Sequence, residues 1–279
     1  MGQASFKCFS SSFKSGQARV YAELLLPDEE GPLPAAILCH GASSDHRAMK
    51  ASAECMAKQG IASLVFDFRG HGLSSGVYDG NISDDVLAAF AHLTNYPEID
   101  LTDVGLVGHS MGASAALLAA AELDSVGALV LLSCPRDEFD QPPREFLSNM
   151  GDSVIEYPDQ GSVPWVGSVL GFVYRLWMKL QGKHMKVNWQ RFFEVYKSGA
   201  LSTALAKMKP CPILFVHCRG DRYSPYHSAV ELYQRARAPK DIILEPGGSH
   251  STPRVSRKIR NKWVSWLVAI LSQDRKEDK

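Results

Sequence analysis

Apolar and polar residues follow two periods along this chain, and the alternation between them predicts an α/β protein. Short, nearly continuous apolar runs are typical of strands buried on both faces of a parallel sheet. Longer segments between them carry apolar residues at helical spacing. Because the two kinds of segment take turns, we expect a mostly parallel sheet with helices on both faces. The apolar runs are 35–39, 61–67, 103–107, 127–133, 211–217 and 241–245.

The segments around these runs complete the predicted set of elements. Residues 5–26 predict two strands joined by a turn at Ser15-Gly16, since Ser-Gly pairs favour turns. Gly60 is placed to end the first helix. Helices are predicted at about 46–59, 84–94, 113–123, 225–237 and 253–272.

The alternation stops over 136–207, where no convincing strand can be found. The pattern therefore predicts a core formed by 1–135 and 208–279, with 136–207 as a helical cap insertion. Two stretches in the insertion place aromatic and aliphatic residues on one helical face. Such a cap would exclude water from a site beneath it. These side chains could equally pack the cap onto the core, or form a dimer face or a membrane-surface contact. They are Val169, Phe172, Val173, Leu176, Trp177 and Leu180, and Trp189, Phe192, Phe193 and Tyr196.

Composition excludes several classes of function. The 279 residues carry 30 basic and 30 acidic side chains, so no net field attracts nucleic acid or an anionic membrane. We find no apolar run of bilayer length and no signal peptide. The six cysteines contain no C-x-x-C pair, which favours buried free thiols in the cytoplasm. Cys39 and His40 are adjacent on a strand and point to opposite faces, so we expect no metal there.

The strongest chemical signal is Ser110, flanked by Gly108 and Gly112. A strand pattern precedes this G-x-S-x-G spacing, and the alanine-rich helix former 113–123 follows it. We expect a sharp strand-to-helix turn in which side chains at the two glycines would clash with neighbouring elements. Ser110 would then stand at a helix N-terminus, where negative charge is favoured. The arrangement predicts a nucleophilic serine.

Asp221 and His250 complete a predicted catalytic triad with Ser110, since all three follow the carboxyl ends of predicted strands. His250 would take the serine proton, and Asp221 would orient the imidazole. Other carboxylates compete for the second role. Asp67 precedes the nucleophile and is out of order, Asp241 opens a strand at the wrong end, and Asp137 stays an alternative because it follows the strand after Ser110.

An oxyanion formed at Ser110 needs two N–H donors. We expect them to be the backbone amides of Met111, directly after the nucleophile, and of Ala42, in the loop after the first parallel strand. No metal or cofactor enters this chemistry. The expected partner is a small-molecule ester, with no nucleic acid and no stable membrane insertion, and a homodimer as an alternative.

The stretch DFRGHGLS at 67–74 and the elbow GHSMG at 108–112 resemble the α/β-hydrolase superfamily. Within it, they are similar to the serine-aminopeptidase-like and monoglyceride-lipase-like branch and to bacterial cinnamoyl and feruloyl esterases. The resemblance covers about 35–135 and 208–272 and implies the α/β-hydrolase fold. It also implies that His40 and His71 brace loops. We expect His109 to be packed, and His46, His92, His184, His217 and His227 carry no usable pattern.

These features predict a serine carboxylesterase that forms an acyl-enzyme on Ser110 and prefers a hydrophobic acyl or aryl group. Thioesterase, amidase or peptidase, and monoacylglycerol lipase activities remain alternatives, because they share the acyl chemistry. A non-hydrolytic protein of the same fold is the other class, although such proteins usually lack a triad residue. Dehalogenase and epoxide hydrolase chemistry would need Asp at position 110, whereas a cofactor-free haloperoxidase stays open.

Overall fold

A single mixed sheet organises the computed structural model, which describes residues 5–42, 44–137, 199–237 and 239–272. Its eight strands among these residues have the order β1-β2-β4-β3-β5-β6-β7-β8. The first two strands pair antiparallel with each other, and β2 pairs antiparallel with β4. All other neighbours are parallel. The strands are β1 Phe6–Ser15, β2 Ala18–Pro27, β3 Leu33–Cys39, β4 Ala62–Phe66, β5 Ile99–His109, β6 Ala128–Leu132, β7 Ile213–Cys218 and β8 Lys240–Glu245.

Seven helices among the described residues cover the sheet, which confirms the predicted layers. The long apolar strands have one face under each layer, and this explains why they are apolar at every position. The seven helices are α1 Arg47–Ala57, α2 Ile82–Leu93, α3 Met111–Ala120, α4 Ala200–Lys207, α5 His227–Arg235, α6 Thr252–Val255 and α7 Arg257–Leu271.

Strand β6 shows how the period of two builds both cores. Leu129 and Leu131 belong to the apolar cluster on the side of α2, α3 and α4, whereas Val130 and Leu132 belong to the cluster on the side of α1 and α7. Every residue of β6 is buried. Because all parallel strands run in one direction, their carboxyl ends meet along one edge of the sheet.

The predicted N-terminal hairpin is confirmed, with Gly16 in its turn at φ 56°. The single closing helix was wrong, because Ser256 has an extended backbone, with ψ 116°, and separates α6 from α7. Its N–H donates to Thr252 O at 2.9 Å, and its carbonyl accepts the N–H of Arg260 at 2.8 Å. Ser256 thus ends one turn of helix and occupies the N-cap position of the next through its backbone.

The predicted cap falls mostly on 138–198, outside the described residues, and so do both of its aromatic stretches. The described end of the predicted insertion is α4. Its inner face, formed by Leu201, Ala204 and Leu205, is buried in the same apolar cluster as α3. This helix therefore packs directly on the core.

All six cysteines are free thiols, and Cys39, Cys134, Cys211 and Cys218 are buried. The other two, Cys8 and Cys55, are exposed and half-buried respectively. Within the described part of the chain, no helix combines the length and the apolar character needed to cross a bilayer.

Candidate active site

Ser110 lies between β5 and α3 and has a strained backbone. Its φ of 55° and ψ of −121° fall where residues with a side chain are rarely found. Three hydrogen bonds hold this conformation. The Ser110 N–H donates to Leu132 O at 2.9 Å, and its carbonyl accepts the N–H groups of Ala113 and Ser114 at 2.8 and 3.2 Å. The strand-to-helix elbow expected from the sequence is therefore present, with Ser110 at its turn.

The flanking glycines are required by close backbone contacts. A Cβ at Gly108 would lie 2.1 Å from Gly112 O, and one at Gly112 would lie 2.3 Å from Cys39 O. Neither the α3 backbone nor the end of β3 can move away cheaply. The glycines thus let strand and helix approach closely enough to bring Ser110 to the carboxyl edge of the sheet.

Asp221 and His250 are in direct contact above this edge, although 29 positions separate them. His250 Nδ1 lies 2.7 Å from Asp221 Oδ2. The carboxylate has no proton to give, so Nδ1 must be the protonated nitrogen and Nε2 keeps its lone pair. The side chain of Asp221 is fully buried, whereas that of His250 is 17% exposed. This is the orientation that a general base requires.

Four donors surround the Asp221 carboxylate. Oδ1 accepts the backbone N–H groups of Tyr223 and Ser224, both at 2.9 Å. Oδ2 accepts from His250 and also from His217 Nε2, at 3.1 Å. Burial by itself would raise the pKa of Asp221. The hydrogen bonds from His217 and His250, the positive charge that His250 can carry and the Ser224 N–H outweigh it, so the pKa is lowered far below its usual range. Asp221 therefore stays ionised.

The three competing carboxylates are hydrogen-bonded elsewhere. Asp67 accepts from the N–H and Nδ1 of His46 and from the Leu73 N–H, and so braces the 67–74 loop. Asp137 accepts two N–H groups at the start of α4. Asp241 accepts from an indole N–H of α7. Among the four candidates, the described structure joins only Asp221 to His250.

His250 reaches the elbow through His109, the residue before Ser110. His109 Nε2 lies 3.0 Å from His250 O, and the two ring centroids are 5.1 Å apart. The described residues show no hydrogen bond between the Ser110 hydroxyl and His250. Such bonds are often long without substrate and tighten when it binds. The structure thus brings the expected base and acid together and places them beside the elbow.

The proposed oxyanion donors lie next to Ser110. Met111 is buried and is the first residue of α3, so its N–H has no partner within the helix. Ala42 is half-buried and follows Gly41 in the loop after β3. A Cβ at Gly41 would lie 2.9 Å from His109 Nδ1 and 3.4 Å from the Ser110 Cβ. The 40–42 loop is therefore packed against the elbow.

Two polar residues near the predicted triad were missed by sequence reasoning. His217 is fully buried, and its Nε2 donates to Asp221 Oδ2 and to Ser224 O, at 3.1 and 2.7 Å. Its place at the end of β7, four residues before Asp221, was the available signal. Ser133 follows β6 and donates to His250 O at 2.8 Å. Nothing in the sequence pattern distinguishes it, because the contact joins residues 117 positions apart.

The described residues also contain one cluster with metal-ligand geometry, formed by Asp45, His46 and Asp67 within 4.8 Å. Its oxygens already have protein donors. Asp45 pairs with Arg47, and Asp67 is bonded to His46 and Leu73. We therefore assign the cluster to loop bracing. His40 acts similarly, since its Nδ1 bonds Gly41 O at 2.7 Å and its Nε2 accepts the Phe68 N–H at 3.1 Å.

Comparison with known proteins agrees with the fold. A model described as the alpha/beta hydrolase family matches residues 36–257. The polyketide transferase ATR5 of Stachybotrys chlorohalonatus is 31% identical over an alignment of 253 positions that covers 78% of this chain and 81% of that protein. YqkD of Bacillus subtilis is 26% identical over 77% of this chain, and the chain spans 64% of its length.

Solved structures share the fold at low sequence identity. One is Est1E from Butyrivibrio proteoclasticus, determined with bound ferulic acid, which is 19% identical with a TM-score of 0.68. That match covers 94% of this chain and all of the other. An esterase domain of a Rhodothermus marinus protein is 22% identical with a TM-score of 0.64, covering 94% of this chain and 98% of that one.

Proposed function

Since the chain belongs to the alpha/beta hydrolase family and has its fold, we propose that it is a serine hydrolase that cleaves carboxylic esters. The proposed triad is Ser110, Asp221 and His250. One observation carries the proposal: His250 Nδ1 is bonded to the buried Asp221 carboxylate beside the elbow that presents Ser110. Esterases among the structural neighbours support the same class of reaction.

In the proposed reaction, His250 Nε2 takes the proton of the Ser110 hydroxyl as Oγ attacks the ester carbonyl. The negative charge that develops on the carbonyl oxygen is stabilised by the N–H groups of Met111 and Ala42 and by the N-terminus of α3. When the intermediate collapses, His250 returns the proton to the departing alcohol. Water then attacks the acyl-enzyme, with His250 again as base, and releases the acid.

Asp221 supplies electrostatics and orientation. Its carboxylate fixes the tautomer of His250 and stabilises the imidazolium that forms during each step. Backbone N–H groups from Tyr223 and Ser224 keep the carboxylate in place. Its lowered pKa means that it stays charged wherever His250 can act as a base.

We propose a hydrophobic acyl or aryl ester as the substrate. The support is the aromatic content of 136–207, which lies mostly outside the described residues, and the ferulic acid bound to the structural neighbour Est1E. A second candidate is acyl transfer to an acceptor other than water. It is favoured by the 31% identity to a polyketide transferase. Both outcomes use the same acyl-enzyme and differ in what attacks it.

The test combines labelling with a substrate panel. A fluorophosphonate probe should label wild type, and Ser110→Ala should abolish labelling and reduce p-nitrophenyl acetate hydrolysis by at least about a thousandfold. Ser63→Ala is the matched control, because Ser63 is buried and donates to Ile61 O away from the elbow. Full activity of Ser110→Ala would overturn the proposal.

The panel then separates the two candidates. Esters of rising acyl length and aryl esters should be turned over faster than acetyl esters if the pocket is hydrophobic. Matching thioesters and anilides test the related hydrolase classes. If transfer is preferred, added alcohols should accelerate release of the first product and yield new esters. If water is the acceptor, the ratio of new ester to acid should stay near the ratio found without enzyme.

A further inference from the structure

The end of β6 is hydrogen-bonded to the loops of all three proposed triad residues. Leu132 O accepts the N–H of Ser110 at 2.9 Å. Ser133 Oγ donates to His250 O at 2.8 Å. Cys134 O accepts from the hydroxyl of Ser224, at 2.9 Å, and the N–H of Ser224 in turn donates to Asp221. Three consecutive residues therefore contact nucleophile, base and acid loops.

Ser133 has the most unusual conformation of the three. Its φ is 48°, and it shares a positive φ with only one other non-glycine residue of the described chain, Ser110. Its N–H donates to Val216 O on β7 at 2.9 Å, and its side chain is fully buried. Glycine would adopt this backbone without strain. Serine at this position leaves the backbone strained, but it provides the hydroxyl that donates to His250 O.

The same carbonyl receives a second donor. His109 Nε2 lies 3.0 Å from His250 O, and a carbonyl has no proton to share, so Nε2 must carry the proton. Burial, then the nearby His250 and Arg254, lower the pKa of His109 well below its usual value, so the ring is neutral. Two donors from two neighbouring strand ends thus converge on one oxygen of the proposed base.

We propose that Ser133, with His109, is a positioning residue that fixes the main chain of His250 relative to Ser110. The inference rests on the proposed function, since it assigns His250 as the base. Holding the His250 carbonyl restricts the rotation of its peptide and so directs the imidazole. His109 immediately precedes Ser110, and Ser133 immediately follows Leu132, whose carbonyl accepts the Ser110 N–H. The carbonyl of His250 is therefore tied to residues that adjoin the Ser110 elbow.

The packing around His109 is consistent with this role. Gly41 must lack a side chain for His109 to occupy its place, since a Cβ would approach Nδ1 to 2.9 Å. Among the residues that the structure describes, three titratable groups contact His250 or lie against its ring, namely Asp221, His109 and Tyr223, whose ring centroid is 5.8 Å away. None of them contacts the carbonyl except His109. Ser133 is therefore the donor that can be removed without altering the charges around the imidazole.

The first experiment separates stability from positioning. Ser133→Ala and Ser133→Gly both lose the hydroxyl, but Gly relieves the positive φ and should melt a few degrees higher than Ala. Both should lower kcat and the rate of fluorophosphonate labelling about tenfold, with KM unchanged. Ser63→Ala, which removes another buried serine-to-carbonyl bond, should retain wild-type rates. If Ser133→Gly keeps the wild-type kcat, the proposal is wrong.

The second experiment tests the partner donor and adds a proton resonance as a readout that does not depend on activity. Gln can place an N–H near the Nε2 position, so His109→Gln should keep kcat within about threefold, whereas His109→Leu should resemble Ser133→Ala. In wild type the Nδ1–H of His250 should give a low-field proton resonance, and in Ser133→Ala that signal should broaden or vanish. An unchanged signal would overturn the positioning role. A wild type that shows this signal but no labelling would overturn the proposed function alone.

Discussion

At the scale of single residues, the site depends on carboxylates and carbonyls that determine which nitrogen of each histidine carries a proton. Asp221 fixes the tautomer of His250, and Ser224 O with Asp221 fixes that of His217. Since Oδ2 of Asp221 accepts from both histidines, its negative charge is shared between them. The strength with which Asp221 attracts the His250 proton therefore depends on a residue that does not touch the elbow.

His217→Leu removes one donor from Asp221 and leaves His250 intact. The carboxylate should then attract the His250 proton more strongly, and the acidic limb of kcat/KM should move upward by about half a pH unit. His217→Gln retains an N–H near Nε2 and should restore the wild-type profile. The measurement is the pH dependence of kcat/KM on one ester between about pH 5 and 9. If the acidic limb of the kcat/KM profile lies at the same pH in His217→Leu as in wild type, then His217 only fills space.

At the scale of elements, the carboxyl-edge loops are held by caps and crossing hydrogen bonds rather than by apolar contacts alone. Asp137 illustrates this after β6. Its carboxylate accepts the N–H groups of Leu201 and Ser202 at 2.6 and 2.9 Å and so caps α4. The sequence left Asp137 as an alternative catalytic acid, and its contacts instead show a carboxylate at a helix N-terminus.

Asp137→Ala should lower the free energy of unfolding by about 1 kcal/mol, because two N–H groups lose their acceptor. Asp137→Asn should lose less, since one acceptor oxygen remains. Asp124→Ala is the control, because Asp124 is fully exposed and pairs with Lys209 at the surface, so its loss should leave the free energy of unfolding close to that of wild type. Urea unfolding gives the free energies, and ester hydrolysis should persist in Asp137→Ala but be lost in Asp221→Ala.

At the scale of the whole molecule, several ionisable side chains are buried in the same region, and folding lowers the pKa of each of them. Burial lowers the pKa of His40 and of His109, and it lowers the pKa of His71 to about 3. Burial would raise the pKa of Asp67, but hydrogen bonds from His46 and the charges near it lower it. The folded protein therefore binds fewer protons than the unfolded chain in mild acid.

Stability should consequently fall as pH drops below about 6.5. The unfolded histidines gain protons there while the buried ones stay neutral, so each adds up to about 1.4 kcal/mol of destabilisation per pH unit down to its folded pKa. Asp67 and Asp221 add a further loss below about pH 4, as their unfolded counterparts become protonated. Urea unfolding at pH 8, 6.5 and 5 should show this slope. In His71→Asn, the pH dependence of the free energy of unfolding should be smaller by the contribution of about one proton. A wild-type free energy of unfolding that is the same at pH 5 as at pH 8 would contradict this prediction.

The sequence was sufficient to predict the layers, the strand-to-helix elbow and most strands, because these follow from local spacing. Apolar runs with two buried faces, such as β6, show their environment at every position. Glycines at 108 and 112 show the close approach of two backbones. The chain order of Ser110, Asp221 and His250 could be proposed for the same reason, since each stands where a strand pattern ends.

Only the tertiary structure shows which polar groups meet. The contacts of Ser133, His109 and His217 with His250 and Asp221 join residues from separate strand ends, and neither spacing nor residue type predicts which oxygen each donor will reach. The break at Ser256 was likewise invisible, because a helical apolar pattern continues across it. Periodicity reports which face of an element is buried, whereas hydrogen-bond partners are decided by where the folded chain brings donors and acceptors together.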